Sequence, residues 1–273
     1  MVRYHLGCTG WGYDAWRGGF YPPGTPPGQY LERYARVYDH VEVDSSYYEA
    51  PDAARTQRWA DATPDAFTFH LKLPGAITHR ARLRDVDVAL DSFLNALAPL
   101  RAAGKLGHLV AQFPASFRHD RDADALLAFL DNWPRDHALA IELRHRSWFE
   151  QDTLERLRSA GAVLVWSDSE AGRTPATRTH SDIIYARLIG DRTLTHFDRV
   201  QRTATEAIGH WAAHFRAAAA TATDIYVLLN NHFMGFAPAS TAAIAQALDL
   251  PVPSLARARR QVGQASLDEL FEV

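Results

Sequence analysis

Glu42 and Asp44 stand two residues apart at the end of one short apolar run, and Glu142 and Arg144 do the same at the end of another. In an extended chain such pairs project to one side. Lys72, Gln112, Asp168, Arg187, Asn230 and Asn231 close further runs of the same kind. Together they could do several kinds of chemistry. A desolvated Lys72 would serve as a base or a Schiff-base amine. Carboxylates such as Glu42 with Glu142 could divide acid and base duties, or hold a divalent cation. Arg144 and Arg187 suit two-pronged contacts to phosphate or carboxylate. Adjacent loops add His79 and His145, and Trp11, Tyr13 and Trp148 offer a face for a ring or a sugar. The expected catalytic set is Glu42, Lys72, Glu142 and Asp168. The expected substrate-binding set is Trp11, Tyr13, Asp44, His79, Gln112, Arg144, His145, Trp148, Arg187, Asn230 and Asn231. No residue is assigned to a resident metal, and no cofactor is expected. The same charges could instead form an ion-pair network that only fills space.

These residues meet only if the runs that carry them do. The runs are Tyr4–Cys8, Val41–Asp44, Phe67–Lys72, Leu109–Gln112, Ala138–Arg144, Val163–Asp168, Ile183–Arg187 and Ile225–Asn231. Short, almost wholly apolar and bounded by turn signals, they fit strands buried on both faces. Helical stretches separate most of them, which predicts an α/β protein with a parallel sheet. Eight repeats predict a closed (β/α)8 barrel of the TIM type, whose chemistry sits at the C-terminal strand ends. Helices are expected over 29–38, 53–62, 86–103, 122–132, 151–160, 203–220 and 240–248. Between Ser169 and Ser181, glycine, proline and threonine replace any helical pattern, so a loop is expected where the sixth helix would be. The loop 9–27, rich in glycine and aromatic residues, leaves strand one at the active end, so Trp11, Tyr13 and Trp16 are expected to fold over the mouth as a wall of the pocket. A chain of 273 residues fits one barrel of about 250. The expectation is one domain over 1–273, with its core at about 4–248 and a tail, 251–273, packed outside.

Bulk properties narrow the function. The chain is 47% hydrophobic and 22% charged, with a net charge of −3, so no global field draws nucleic acid or an anionic membrane. The only cysteine, Cys8, excludes an internal disulfide and reads as a core residue. No run reaches the roughly 20 apolar residues of a membrane span, and the first residues, MVRYHLGC, lack the apolar segment of a signal peptide. The cytoplasm is the expected location. Gly10-Trp-Gly12-Tyr-Asp-Ala15 mimics a dinucleotide fingerprint, but Gly18, Gly19, Pro22 and Pro23 deny it the helix that would meet a pyrophosphate. Phosphate-loop and nucleophile-elbow motifs are absent. His210 and His214 share a helical face, but without the glutamate of a metalloprotease helix. Arg257, Arg259 and Arg260 make a basic cluster too short to argue for nucleic acid.

Taken as a set, several segments resemble the YecE-like family, domain of unknown function 72. They are Gly7-x-x-Gly10-Trp11-x-Tyr13-x-x-Trp16 with Phe20-Tyr21-Pro22, and Val41–Tyr48 (VEVDSSYY). Phe69-x-x-Lys72 with Thr78-His79, Gln112-Phe-Pro114 and Glu142-Leu-Arg144-His145-x-Ser-Trp148-Phe149 follow. The last are Ser167-Asp168, Arg187-x-x-Gly190 and Asn230-Asn231-His232 with Gly235 and Ala237-Pro238. The resemblance runs from Gly7 to about Leu248. It implies a (β/α)8 barrel and no particular activity, because the family has no established function. Three positions depart from its pattern: Asp44 stands in place of an asparagine, Ile189 of a histidine, and Ser240 of an asparagine.

Three functions remain open. One is an enzyme using acid–base chemistry on a small anionic substrate, phosphorylated ones included, at the barrel mouth, with hydrolase, lyase and isomerase chemistry all open. Another is a metal-dependent phosphodiesterase or nuclease with Glu42, Glu142, Asp168 and His79 as ligands. The third is a non-catalytic module that binds a ligand or partner. The expected partner is a small anion, not a membrane. Nothing in the sequence speaks to the oligomeric state.

Overall fold

The computed structural model describes residues 2–180 and 182–253. All eight apolar runs become strands. They are β1 (Arg3–Cys8), β2 (His40–Val43), β3 (Thr68–Lys72), β4 (Leu106–Gln112) and β5 (Leu139–Glu142), a sixth run split into β6 (Val163–Leu164) and β7 (Trp166–Ser169), then β9 (Ile183–Gly190) and β10 (Asp224–Leu229). A two-residue strand, β8 (Gly172–Arg173), folds back antiparallel on β7, and every other pairing is parallel.

Hydrogen bonding gives two five-stranded sheets, ordered β1-β10-β9-β7-β8 and β2-β3-β4-β5-β6. The sixth run joins them. Its β6 part pairs with β5 and its β7 part with β9, and between them the Val165 amide donates to Ile141 O at 2.9 Å. At the opposite seam β1 and β2 share no ladder. A single parallel bridge links Thr9 to Glu42. The Tyr34 hydroxyl spans the gap, accepting from the Cys8 amide at 2.8 Å and donating to His40 O at 3.1 Å. Gly7 makes this approach feasible, since a Cβ there would lie 2.9 Å from the His40 ring.

The helices are α1 (Tyr30–Ala35), α2 (Ala53–Asp61), α3 (Asp87–Ala96), α4 (Ala98–Ala102), α5 (His119–Asn132), α6 (Gln151–Ser159), α7 (Thr205–Ala218), α8 (Asn231–Met234) and α9 (Ala237–Ala247). The single helix expected over 86–103 breaks at Leu97, where Pro99 of the next turn has no amide to continue the ladder. The described residues between β7 and β9 hold β8 and no helix, as the glycine and proline content there predicts.

Two apolar clusters form. The larger packs helices on strands. The smaller brings Val110, Ala140 and Val163 of one sheet together with Tyr185 and Leu228 of the other, and with Val165 between β6 and β7. Cys8 is fully buried, and burial pushes its thiol pKa up, as befits a core residue. Among the described residues no helix is long and apolar enough to cross a membrane. The tail expected outside the barrel, apart from its first three residues, and the arginines at 257, 259 and 260 lie outside the described residues.

Candidate active site

Parallel strands all deliver their C-terminal residues to the same end, and side-chain alternation decides which of those residues turn inward. On β2 the inward residue is Glu42, on β5 Glu142, and on β9 both Tyr185 and Arg187. All four are buried at 1% exposure or less. The Arg187 guanidinium lies between the two carboxylates. Its Nε donates to both Glu42 oxygens at 2.9 Å, its Nη2 donates to Glu42 Oε1 at 2.6 Å, and its Nη1 donates to Glu142 Oε2. Tyr185 adds a bond to Glu42 Oε2 at 2.9 Å, and Arg144 Nε and Ser167 Oγ donate to Glu142 Oε1 at 2.7 and 3.2 Å. Burial works against a charge on Glu142, yet Arg187 and Arg144 outweigh it and hold the pKa down at about 2.

Above this sealed layer lies a second, more open one. Lys72 Nζ is 3.2 Å from Asp44 Oδ1 and sits 4.3 Å from the centre of the Tyr47 ring. Burial lowers the Lys72 pKa more than Asp44 restores it. For Asp44 burial acts to raise the pKa, but Lys72 and Arg187 prevail and keep it below the usual carboxylate value. Asp44 also reaches toward Arg187, at 3.5 Å. With Asp44 included, the three carboxylates face three cations: Lys72, Arg144 and Arg187.

Two adjoining cavities open here. One, of about 240 Å³, is lined by Lys72, Arg144, Arg187, Arg192, Asn230 and Asn231 among others. The other, of about 500 Å³, is lined by Trp11, Arg55 and Trp59 among others. Tyr13, Asp44 and Tyr48 border both. Trp11 and Tyr13 therefore form pocket walls, as the position of the first loop predicts. Trp16 does not. It is fully buried and donates its indole N–H to Asn231 Oδ1 at 3.0 Å. Asn230 bonds Thr9 Oγ1 at 2.7 Å and caps α8 through the His232 amide. Ile189 lines the smaller cavity, whereas Ser240 is buried in α9 and bonds Phe236 O.

Several expected site residues are elsewhere. Asp168 is not in the cluster. Alternation turns Ser167 inward, so Trp166 and Asp168 face the helices, and Asp168 accepts from the Trp211 indole and from Arg173, both at 2.9 Å. His145 caps the turn Arg146–Trp148 through the Ser147 amide. Trp148 is buried against Phe117, ring centres 5.2 Å apart, and donates to Phe117 O. Gln112 bonds the neighbouring Phe113 O at 2.6 Å. None of these four lines either cavity. His79 stands edge-on to Tyr47 at 4.8 Å, behind Lys72, and burial together with Lys72 and Arg144 pushes its pKa to about 4.

Sequence reasoning missed Arg55, Trp59, Tyr48, Arg192 and Phe197. For the first two a signal exists. They are spaced i, i+4 on α2, which begins shortly after strand two at the active end. Tyr48 ends the segment VEVDSSYY, five residues beyond the end of β2 at Val43. Arg192 and Phe197 belong to an irregular loop whose sequence shows no periodicity.

The family model described as "Protein of unknown function DUF72" matches residues 5–263. The UPF0759 protein YecE of Escherichia coli K12 is 36% identical over 159 residues, covering 56% of this chain and 57% of YecE, so the match spans little more than half of that relative. The UPF0759 protein YunF of Bacillus subtilis 168 is 25% identical over 277 residues, 92% of this chain and 97% of YunF. The crystal structure of a DUF72 family protein from Thermotoga maritima MSB8 is similar at a TM-score of 0.77 and 26% identity, covering 90% of this chain and 99% of that one.

Proposed function

The chain belongs to the DUF72 family, and from that premise we propose that it is an enzyme acting by acid–base chemistry on a small anionic substrate. We take the two sheets to close as one (β/α)8 barrel domain with the site at its mouth. The continuous sixth run, the Thr9–Glu42 bridge and the shared inner cluster support closure. The observation that carries the functional reading is the Lys72–Asp44 pair, an ion pair at the cavity wall above a sealed charged layer.

In this reading the roles divide by depth. Glu42 and Glu142 are fully buried and saturated by Arg187, Arg144, Tyr185 and Ser167, so they position cations and do not exchange protons with substrate. Arg187 forms part of the cavity floor, and Arg144 and Arg192 supply its basic wall. Arg144 and Arg192, with the Lys72 ammonium, grip the anionic group of the substrate. Lys72, paired with Asp44 as an ammonium, gives a proton to the substrate; burial lowers its pKa and eases that release, and Asp44 holds the amine in place. A metal-dependent phosphodiesterase fits less well. Glu42 and Glu142 are turned onto Arg187 and Asp168 faces α7, so the ligand set Glu42, Glu142, Asp168 and His79 is not gathered.

Calorimetric titration with inorganic phosphate tests the reading. The native protein should bind one phosphate per chain, and Lys72→Met should weaken it at least tenfold while the protein stays folded. Equal affinity in the variant, or no binding to the native protein, would remove the basis of the proposal. A non-catalytic module would bind phosphorylated metabolites and turn none over.

A further inference from the structure

The aromatic cavity beside the cationic one is not used by any step above. Its walls are unusual for a surface dent. Trp11 and Trp59 meet at a right angle, 5.4 Å between ring centres, and form a corner. Phe69 stacks behind Trp59 at 5.9 Å and fixes that wall. The Arg55 guanidinium lies 5.6 Å from the Trp59 ring centre. Tyr48, on the border between the two cavities, is 79% exposed, and it is the only aromatic side chain among the exposed large hydrophobic residues described. An aromatic face left in water beside an apolar corner lacks the cover that such faces have elsewhere in this fold, where Trp16, Tyr21 and Tyr30 are all buried.

The two cavities are joined through shared residues, and their sizes differ in a useful way. About 240 Å³ holds an anionic head group with little more, whereas about 500 Å³ is within the range of small-molecule sites. Resting on the anion reading given above, we propose that the mouth binds an anion carrying an aromatic ring, of the aryl phosphate or nucleoside monophosphate class, with the anionic group at Lys72 and Arg144 and the ring on Tyr48 against the Trp11–Trp59 corner. The chemistry is that of π-stacking and edge-to-face contact. Aromatic side chains stack on the π-face of any base or aryl ring, and Arg55 adds a cation that a π-face attracts. A bare sugar phosphate satisfies the cationic pocket and gains little from a corner of perpendicular rings.

The test compares inorganic phosphate, ribose 5-phosphate, phenyl phosphate, adenosine 5′-monophosphate and adenosine by calorimetry on the full-length protein. Phenyl phosphate and adenosine monophosphate should bind at least tenfold more tightly than phosphate, and ribose 5-phosphate should not. In Trp59→Ala the ratio of adenosine monophosphate to phosphate affinity should collapse toward one. Tyr48→Ala should lower the same ratio, and because Tyr48 is exposed its loss leaves the core intact should Trp59→Ala fail to fold. Phosphate binding with no gain from either ring overturns the aromatic subsite and leaves the anion reading standing. An equal gain for ribose 5-phosphate overturns it as well, in favour of a sugar. Adenosine binding without phosphate binding would overturn the anion reading and with it the bidentate ligand, but would keep the ring subsite. If none of the five binds, both readings fall.

Discussion

Arg187 is the residue on which the mouth depends. Its guanidinium serves two fully buried carboxylates and reaches toward Asp44 at the cavity floor. Removing one member of such a set leaves buried charge without a partner, which costs about 3–5 kcal/mol. Arg187→Met should therefore lower the unfolding free energy by about that amount in a urea titration, whether or not anion is present. Adding Glu42→Gln should restore part of the loss, because the orphaned charge is then gone and the two changes are coupled. A stable Arg187→Met protein that had merely lost phosphate protection would show instead that the arginine serves the ligand and not Glu42 and Glu142.

At the scale of elements, the end of β9 against α8 sets the shape of the cavity. Gly190 has φ +75, and a Cβ there would lie 2.5 Å from His232 O and 2.7 Å from the Phe233 Cα. Only glycine fits both the left-handed backbone and the close approach. Gly190→Ala should cost roughly 1–2 kcal/mol for the backbone conformation alone, with more for the clash. It should also displace the loop that carries Arg192 and Phe197. Thermal denaturation and phosphate titration on this variant should both show a loss. Unchanged phosphate affinity would mean that this loop does not shape the anion pocket. The sixth strand works at the same scale. Divided at Val165, it pairs with β5 on one side and β9 on the other.

Over the whole molecule, the opposite end of the strands holds its own charged network. His5 Nδ1 meets Asp39 and its Nε2 meets Asp224, both at 2.9 Å; Arg3 also pairs with Asp224. His40, His70, His108 and Tyr226 pack against one another beside them. Burial lowers the pKa of His70, and that of His108 to about 4. For His70 the geometry agrees, since its Nδ1 already accepts the His108 amide at 2.9 Å and has no room for a proton. Both rings fold neutral, so their contribution is complete above the unfolded histidine pKa of about 6.5 and declines as the pH falls below it. His5 has the opposite sign. Burial would lower its pKa, but Asp39 and Asp224 raise it, so its contribution is present at low pH and fades as the pH rises through the raised value. Urea midpoints measured from pH 5 to 8 should thus drop on the acid side, and His108→Leu should flatten that drop while His5→Ala flattens the alkaline one. Profiles unaltered by His108→Leu would contradict a neutral, buried imidazole.

Much of this protein is written locally. Eight apolar runs, their alternation with helical patterns and the missing sixth helix depend on composition and period within a few residues, and each is visible in the chain alone. So is the placement of charge toward the C-terminal strand ends, since Glu42, Lys72, Glu142 and Arg187 close runs that the structure also makes strands, although β9 continues past Arg187 to Gly190. Depth and partner were decided elsewhere. The bonds from Arg187 to Glu42 join residues 145 apart in sequence, and no local pattern specifies that pairing. A run of strand residues does not reveal which of its two sides faces inward when both are buried, so Ser167 and Asp168 are equally good readings until β9 and α7 are packed against them. His145 and Trp148 look like site residues because they follow Glu142 and Arg144, yet neither lines the cavity, and the His145 Nδ1 and the Trp148 indole N–H are taken up by Ser147 and Phe117. Arg55 and Trp59 reach the cavity only because α2 lies across the end of β2 and meets the first loop at Trp11. Local sequence dictates which segments are strands and helices, because that choice is set by backbone and near-neighbour energies. Tertiary packing alone decides which charges are sealed and which are open, because burial is a property of everything that surrounds a side chain.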